Sequence, residues 1–318
     1  MKRTFSIIVP VYNRPNEIDE LLASLTKQDY PDDFEVLIVE DGSTDTCEHY
    51  IEKYRSQLNI KYFFKENTGA GQSRNFGMQQ AKGTYYIILD SDVLVPEKYL
   101  VEVSKALEEN YTDAYGGPDA AHQSFTVVQK AINYSMTAVL TTGGIRGKKK
   151  AVGTFQPRSF NLGISKKAFD LTQGFADLKV GEDIDLTFRL WTQGCETQLI
   201  ENAYVYHKRR STIEQFFKQT FSFGTARPQL TKRYPETAKL TYWFPSLFTI
   251  GFYLSMSASF FGIWQLFALY YFYFLLIFFD ALLQSKNFIV ACLSIITTFT
   301  QHFAYGSGFL VSRFSKNS

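Results

Sequence analysis

The stretch TYYIILDSD at residues 84–92 joins a continuous apolar run to two carboxylates. A run of this kind is typical of a strand that is covered on both faces of a parallel sheet. Side chains in an extended segment repeat every two residues, so Asp90 and Asp92 point to the same side. Two such carboxylates repel each other unless a cation lies between them, and a divalent metal that carries a diphosphate suits this position. Asp-x-Asp is also common in ordinary turns, but its place after a buried strand favours a metal site.

The segments around this stretch alternate between strand and helix patterns. Strands are predicted at residues 5–9, 34–39 and 60–64, and helices at residues 16–27, 73–81 and 96–109. Apolar strands that alternate with helices predict an α/β fold with a mostly parallel, doubly wound sheet. Such sheets bind ligands at the carboxyl ends of their strands. The polar residues that follow each strand are therefore the candidates for chemistry.

Three further polar segments lie at such positions, and each has two interpretations. Asp41 stands in Glu-Asp-Gly-Ser at the end of the second strand, where it either caps a turn or contacts a ligand. The glycine-rich segment 67–75 opens a helix, so its backbone N–H groups and Arg74 suit a phosphate, although the glycines also suit a tight turn. Glu182 and Asp183 open another helix, as caps that favour the helix dipole or with one of them as a general base.

Five segments, in this order and spacing, resemble glycosyltransferase family 2, whose members have the nucleotide-diphosphosugar transferase (GT-A) fold. They are residues 6–13, 39–45, 67–77, 90–92 and 181–186. The resemblance covers about residues 4–230, and five matching segments in order are highly specific. It implies a GT-A fold and transfer of a sugar from a nucleotide-diphosphosugar.

The resemblance also implies a role for each matched residue. Asp183 is the implied catalytic base, which takes the proton of an acceptor hydroxyl during attack on the sugar C1 with inversion. The implied nucleotide and donor contacts are Pro10, Tyr12, Asn13, Asp41, Arg74 and Asp90. The implied ligands of Mn²⁺ or Mg²⁺ are Asp92, Asp90 and His207, the last of which also has a structural interpretation. The implied acceptor and diphosphate side comprises Gly117, Asp119, Asn161, Glu182 and Arg227.

The chain departs from the family pattern in two places. Glu40 precedes Asp41 where many members have two aspartates. The QxxRW motif of processive polysaccharide synthases is not present, because Gln219 and Arg227 resemble it only at a different spacing. This departure favours transfer of one sugar at a time.

The composition changes near residue 240. Between Thr241 and Ser312 the only charged side chains are those of Asp280 and Lys286. We therefore predict a catalytic domain at residues 1–232 and a membrane region of two to three helices at residues 241–312. The apolar stretches are residues 244–261, 263–283 and 288–311, and each approaches the roughly 20 residues that cross a bilayer. The third stretch either crosses the membrane or lies partly in its interface.

The charges and cysteines bear on partners and location. With 33 basic and 31 acidic side chains, the chain lacks the basic profile of a nucleic-acid-binding protein. Three basic residues ahead of the first apolar stretch favour a cytoplasmic catalytic domain at the inner membrane. Three distant cysteines without a CxxC motif indicate a reducing compartment. The basic run at residues 146–150 is either a solvated loop or a site of attraction to anionic lipid or a lipid diphosphate.

The sequence thus predicts a membrane-anchored, metal-dependent, inverting glycosyltransferase. Its expected donor is a UDP-, GDP- or dTDP-linked sugar, and its expected acceptor is a lipid-linked saccharide in surface glycan synthesis. A polyprenyl-phosphate sugar synthase and a non-catalytic membrane scaffold of the same fold are the alternatives. Retention of Asp90, Asp92 and Asp183 argues against the scaffold.

Overall fold

The computed structural model describes residues 3–143 and 155–315, which fall into two compact units. The sheet unit comprises residues 3–122 and 155–208, and the helical unit comprises residues 123–143 and 209–315. The predicted catalytic region (1–232) and membrane region (241–312) were defined by composition, and they stay predictions. The basic run at residues 146–150 lies outside the described residues.

The described chain contains ten strands and twelve α-helices. The strands are β1 Phe5–Val11, β2 Phe34–Asp41, β3 Asn59–Lys65, β4 Tyr85–Leu89, β5 Val93–Leu94, β6 Ala114–Gly116, β7 Asp119–Ala120, β8 Asn161–Ser165, β9 Thr197–Leu199 and β10 Val205–His207. The helices are α1 Pro15–Leu25, α2 Glu48–Tyr54, α3 Ala70–Gln80, α4 Tyr99–Glu109, α5 Val127–Thr137, α6 Val139–Thr142, α7 Lys166–Thr172, α8 Glu182–Thr192, α9 Ile213–Arg233, α10 Phe244–Ser259, α11 Gln265–Ser285 and α12 Phe288–Phe314.

The larger sheet of the sheet unit has seven strands in the order β3-β2-β1-β4-β8-β6-β9. All neighbouring strands are parallel except at β8, which is antiparallel to both β4 and β6. Alternate residues of β1 face two different cores: Ile7 lies among the side chains of α1, α2 and α4, and Ile8 lies with those of α3, α7 and α8. Because helices cover both faces, the prediction of a mostly parallel, doubly wound α/β sheet is confirmed.

A smaller, three-stranded sheet brings β10, the last strand of the sheet unit, next to the segment that follows β4. Its strand order is β5-β10-β7, with β10 antiparallel to β5 and parallel to β7. His207 is opposite Val93 in this sheet, and Lys208 N donates to Asp92 O at 3.0 Å. The pairing therefore fixes His207 beside the residues that follow β4.

The helical unit contains the apolar C-terminal segments. Two of its helices, α11 with 21 residues and α12 with 27, are long and apolar enough to cross a membrane by length and composition. The first predicted stretch forms α10, which has 16 residues. Helices α9 and α12 pack closely, since a Cβ added to Gly224 would lie 2.2 Å from Tyr305 O.

Candidate active site

Two carboxylates and one imidazole meet at the carboxyl end of β4. One ligand atom each of Asp90, Asp92 and His207 lies within 4.8 Å of the others. Nε2 of His207 is 3.2 Å from Oδ1 of Asp92, and the Phe160 ring stacks on the imidazole with centroids 4.8 Å apart. The predicted metal-binding residues are thus brought together, although they come from two distant parts of the sequence.

The cluster fits a divalent cation. Oδ1 of Asp92 is buried and lies 3.2 Å from Nε2 of His207, but among the described residues no donor points at it with the alignment of a hydrogen bond. Burial raises the pKa of Asp92, but His207 and Arg14 outweigh burial and hold this pKa well below its usual range. A charged carboxylate with an open oxygen, beside a second carboxylate and an imidazole, is the donor set that Mn²⁺ and related ions accept.

Arg14 is a site residue that the sequence did not reveal. Its Nη1 donates to Oδ2 of Asp92. Burial lowers the pKa of Arg14, but the contact with Asp92 outweighs this and the pKa is raised, so the guanidinium stays charged. Its only signal was its position, directly after the matched segment 6–13.

Arg74 connects the end of β4 to the start of α8. Its Nη2 donates to Oδ1 of Asp90 at 2.7 Å, and its Nη1 donates to Oε1 of Glu182 at 2.9 Å. The side chain is only 4 % exposed and lies over the Phe175 ring, 5.2 Å from its centroid. Burial, with a contribution from the charge of Asp183, raises the pKa of Glu182 although Arg74 opposes this. Arg74 therefore neutralises the buried Glu182 and links it to Asp90.

Asp183, the predicted base, lies in the first turn of α8. Its Oδ1 accepts from Ile184 N at 2.8 Å, and its Oδ2 is 3.7 Å from Nη1 of Arg158. The turn before it uses Gly181 at φ +84°, a conformation that favours glycine. Arg158 is the second charged neighbour that sequence reasoning missed.

Asp41 holds the glycine-rich loop. Its carboxylate accepts from Thr68 N and Gly69 N at 2.9 Å each, and from Nζ of Lys65 at 2.5 Å. Burial raises the pKa of Asp41, but Lys65 and Thr68 outweigh burial and lower it. Of the two interpretations of this segment, the structure favours the one in which Asp41 orders a turn, because both carboxylate oxygens have partners within the protein.

The other donor-side residues lie at the end of β1. Pro10 is buried in the strand, whereas the Tyr12 ring is 53 % exposed. Asn13 has φ +52°, and its Oδ1 accepts from Thr44 N at 2.9 Å and from Asp45 N at 3.1 Å. The Asn13 side chain thus joins the loop after β1 to the loop after β2, which leaves the Tyr12 ring as the exposed surface.

The predicted acceptor-side residues do not share one environment. Asn161 is fully buried: its Oδ1 accepts from Tyr99 Oη at 2.6 Å, and its Nδ2 donates to Ala203 O at 2.8 Å. A Cβ on Gly117 would lie 1.9 Å from the same Ala203 oxygen. These contacts support a structural role for both residues rather than contact with an acceptor.

The last two predicted residues lie in different units of the chain. Asp119, on β7, has its Oδ2 3.9 Å from Nδ1 of His207, so it lies beside the group formed by Asp90, Asp92 and His207. Arg227 lies on α9 in the helical unit, where its guanidinium covers the Tyr242 ring at 4.3 Å.

Sequence comparison identifies the family to which the chain is similar. A model of glycosyl transferase family 2 matches residues 6–170. The chain is 41 % identical over 112 residues to poly(ribitol-phosphate) β-N-acetylglucosaminyltransferase TarS of Staphylococcus aureus, an alignment with 34 % of this chain and 20 % of that protein. It is 26 % identical over 235 residues to chondroitin synthase of Escherichia coli, with 64 % of this chain and 34 % of the relative. The chain thus spans between a fifth and about a third of the length of these relatives.

Two solved structures have the same fold. A crystal structure of S. aureus TarS superposes with a TM-score of 0.51 and 26 % identity, over 70 % of this chain and 64 % of that one. The mannosyltransferase PcManGT of Pyrobaculum calidifontis, solved with GDP-Man and Mn²⁺, superposes with a TM-score of 0.62 over 100 % of this chain and 89 % of its own, at 17 % identity. With the family match over more than half of its residues and a GT-A arrangement of its strands, the chain belongs to glycosyltransferase family 2.

Proposed function

We propose that this protein is a membrane-anchored, metal-dependent, inverting glycosyltransferase that moves one sugar from a nucleotide-diphosphosugar to an acceptor hydroxyl. The proposal rests mainly on a group of side chains at the carboxyl end of β4 that contact one another. Asp90, Asp92 and His207 form a cation-type cluster, and Arg74 joins it to the helix that begins with Glu182 and Asp183. Relatives named as complexes with UDP-GlcNAc and with GDP-Man support a nucleotide-sugar donor.

Asp90, Asp92 and His207 would hold the divalent ion, Mn²⁺ or Mg²⁺. Such an ion supplies neutralisation of the charge that develops on the departing diphosphate. The low pKa of Asp92 keeps its carboxylate ready for this ligation at neutral pH. Arg14, which already contacts Asp92, adds a second positive charge at the same place.

Asp183 would act as the general base. The acceptor oxygen forms its bond to the sugar C1 while its proton passes to the Asp183 carboxylate. The bond between C1 and the diphosphate oxygen breaks, and the nucleoside diphosphate leaves with the electron pair. Attack from the face opposite the leaving group inverts the configuration at C1. Arg158, 3.7 Å from Oδ2, and Ile184 N, which donates to Oδ1, would orient the carboxylate.

The donor and acceptor would occupy the loops around this cluster. The exposed Tyr12 ring would stack on the nucleotide base, with Pro10, Asn13 and Asp41 shaping the loops beneath it. Arg74, Glu182, Asp119 and Arg227 stay proposals for the diphosphate and acceptor sides, and Gly117 would act there only by leaving room for Ala203 O. Asn161 would act on this side only through the backbone it holds.

The proposed acceptor is a lipid-linked saccharide in surface glycan synthesis. Helices α11 and α12 are apolar enough to anchor the chain among membrane lipids, and the basic residues ahead of α10 favour a cytoplasmic catalytic domain at the inner membrane. Two relatives are named as a poly(ribitol-phosphate) β-N-acetylglucosaminyltransferase and as chondroitin synthase, and both names refer to polymers.

Calorimetry on the detergent-purified full chain tests the donor site. UDP, GDP and dTDP are titrated with and without Mn²⁺, into the wild type, Asp92→Asn and the exposed control Asp170→Asn. We expect one nucleotide to bind only with the metal, and this binding to be lost in Asp92→Asn but kept in the control. If no nucleotide binds to folded protein, the scaffold alternative replaces the proposal. Transfer assays with polyprenyl phosphate against a polyprenyl-diphosphate saccharide then separate a sugar-lipid synthase from the proposed transferase.

A further inference from the structure

We infer that Asp119 is a positioning residue that fixes the tautomer and the direction of the His207 imidazole. The Asp119 carboxylate accepts the N–H of Nδ1, so that Nε2 presents its lone pair to a cation held with Asp90 and Asp92. Like the proposed function on which it rests, this role needs a divalent ion at the cluster. It gives Asp119 a task other than the acceptor contact that the sequence resemblance implied.

The smaller sheet brings the two side chains to one face. β7 and β10 pair in parallel, with Asp119 opposite Val205. Residues that are opposite each other in a sheet point to the same face, and so do residues two apart along a strand. Asp119 and His207 therefore share a face. Val205 N donates to Pro118 O at 3.0 Å, so the backbone holds the two strands in this register.

The His207 imidazole lies between two carboxylates. Nε2 is 3.2 Å from Oδ1 of Asp92, and Nδ1 is 3.9 Å from Oδ2 of Asp119. The Phe160 ring stacks on the imidazole with an interplanar angle of 20°, which restricts the imidazole to one plane. A hydrogen bond from Nδ1 needs an approach closer by about 1 Å, which rotation of the Asp119 carboxylate about its Cβ–Cγ bond can supply. Each ring nitrogen thus faces its own carboxylate.

The burial of Asp119 favours a role that acts through His207. The Asp119 side chain is 0 % exposed, whereas those of Asp92 and His207 are 12 % and 14 % exposed. A sugar that arrives from solvent does not reach an enclosed carboxylate unless the surrounding side chains move. A buried carboxylate is costly without polar neighbours, and an imidazole N–H is a neighbour of the right kind.

The position of the imidazole proton matters for a metal. A neutral imidazole has one N–H and one lone pair, and the partner of one nitrogen decides which form is present. A proton on Nε2 would point at Asp92 and leave no lone pair there for a cation. Histidines that ligate metals usually donate their other N–H to a carboxylate, a carbonyl or water, and loss of that partner weakens metal affinity by about 10–100-fold.

Asp92 is held from its outer side in a corresponding way. Nη1 of Arg14 donates to Oδ2 of Asp92, and Oδ1 is the oxygen that lies near His207. Arg14 thus orients the carboxylate and Asp119 orients the imidazole, so that both ligand atoms are directed at the same place.

The tautomer of His207 in the full chain tests the inference without any metal. Protein labelled with ¹⁵N in histidine is purified in detergent, and the ring ¹⁵N chemical shifts are measured at a pH where the imidazole is neutral. The chain has four histidines, so His207→Gln identifies the signals of His207. We expect the proton on Nδ1 in the wild type and on Nε2 in Asp119→Leu. A proton on Nε2 in the wild type would overturn the inference.

Affinity for Mn²⁺, measured by electron paramagnetic resonance of the free ion, is the second test. Asp119→Leu removes the acceptor but keeps a branched side chain, and it should weaken binding by about 10–100-fold. Asp119→Asn keeps an acceptor oxygen without the charge, so it should lose less. Asp185→Asn is the matched control, because the Asp185 side chain is also 0 % exposed but pairs with Arg189 on α8. The control should keep the wild-type affinity even if its Tm falls.

Two results of the Mn²⁺ measurement decide between failures. Unchanged affinity in folded Asp119→Leu, or an equal loss in the Asp185→Asn control, contradicts a specific role of Asp119. A wild type that binds no Mn²⁺, with or without the nucleotide found by calorimetry, refutes the metal-dependent transferase itself. The tautomer in the wild type still decides the role of Asp119 in that case, and it does so even if a variant of Asp119 does not fold.

Discussion

Replacing Arg74 by methionine removes the guanidinium that joins Asp90 to Glu182, while it keeps most of the apolar volume over Phe175. Glu182 then stays in a buried position without a positive partner. Burial already raises its pKa in the wild type, and Arg74 is the main opposing influence. The variant therefore reports how strongly this one side chain holds the site together.

The loss follows from the two contacts. Hydrogen bonds to charged groups contribute about 1.5–3 kcal/mol each, and breaking a buried ion pair costs about 3–5 kcal/mol. Asp90 is 27 % exposed and Glu182 is 16 % exposed, so water replaces part of what is lost. We expect a fall in the free energy of unfolding of about 3 kcal/mol, or about 6–12 °C in Tm for a domain of this size.

Fluorescence of Trp191 measures this loss. Trp191 lies on α8 in the sheet unit, and Trp243→Phe with Trp264→Phe removes the other two tryptophans, so that its emission reports this unit alone. Arg55→Met is the matched control, because Arg55 pairs with Glu52 at 2.6 Å but the side chains are 47 % and 68 % exposed. Surface pairs contribute about 0.2–1 kcal/mol, so the control should lose about 4 °C or less.

The pH dependence of the stability difference between wild type and Arg74→Met tests the reasoning. A carboxyl whose folded pKa is raised destabilises the protein above its ordinary pKa, and this penalty disappears as pH falls and the group takes up a proton. Without Arg74 the pKa of Glu182 rises further, so the gap between wild type and variant should be full at pH 8 and narrower near pH 5. A gap of under about 1 kcal/mol, or one of equal size at both pH values, would refute the reasoning.

Three further perturbations test other contacts. Gly117→Ala places a Cβ 1.9 Å from Ala203 O and should lower the free energy of unfolding by about 1–3 kcal/mol. Gly71→Ala is the control, because its Cβ would meet no atom closer than 3.4 Å and should not lower stability. Thermal melts compare the two variants. Asp41→Asn should lower Tm at neutral pH, and, because the pKa of Asp41 is depressed, the difference from wild type should begin to shrink only as pH falls below about 4; a difference that shrinks already between pH 7 and pH 5 contradicts this. Gly308→Leu should separate α12 from α9 and reduce the fraction of protein that elutes as a folded species in detergent, and an unchanged elution profile would show that the contact is dispensable.

The strands that could be predicted are short apolar runs, which are buried in β1, β2 and β4 and half-buried in the edge strand β3. β1, β2 and β4 are continuous apolar runs, and the structure confirms each of them. β8 was not predicted from an apolar run, because it begins with Asn161 and contains Gly163. That glycine is required by a neighbour, since a Cβ there would lie 1.9 Å from Cε1 of Tyr115. A short strand selected for a tertiary contact carries no periodic signal of its own.

The site residues also fall into those that the sequence could predict and those that it could not. Asp90 and Asp92 could be placed because the strand before them fixes their direction. Arg14 and Arg158 could not, since each becomes a site residue only when folding brings it to a carboxylate, and Arg14 is 78 positions from Asp92. Asn161 resembled an acceptor contact by its neighbours in sequence, but only the structure showed that both ends of its side chain are hydrogen-bonded in the core.

The position of β10 has a consequence for the order of folding. Asp90 and Asp92 leave the ribosome more than a hundred residues before His207, and the strand that carries His207 pairs with β5 and β7 only after the intervening chain has been made. Contacts of such long sequence separation form late, because the loop between them must close first. A nascent chain that ends before β10 has the two carboxylates but not the imidazole, so its affinity for a divalent ion should rise steeply once His207 is in place. The metal affinity of nascent chains of increasing length would then report the length at which the sheet unit is complete.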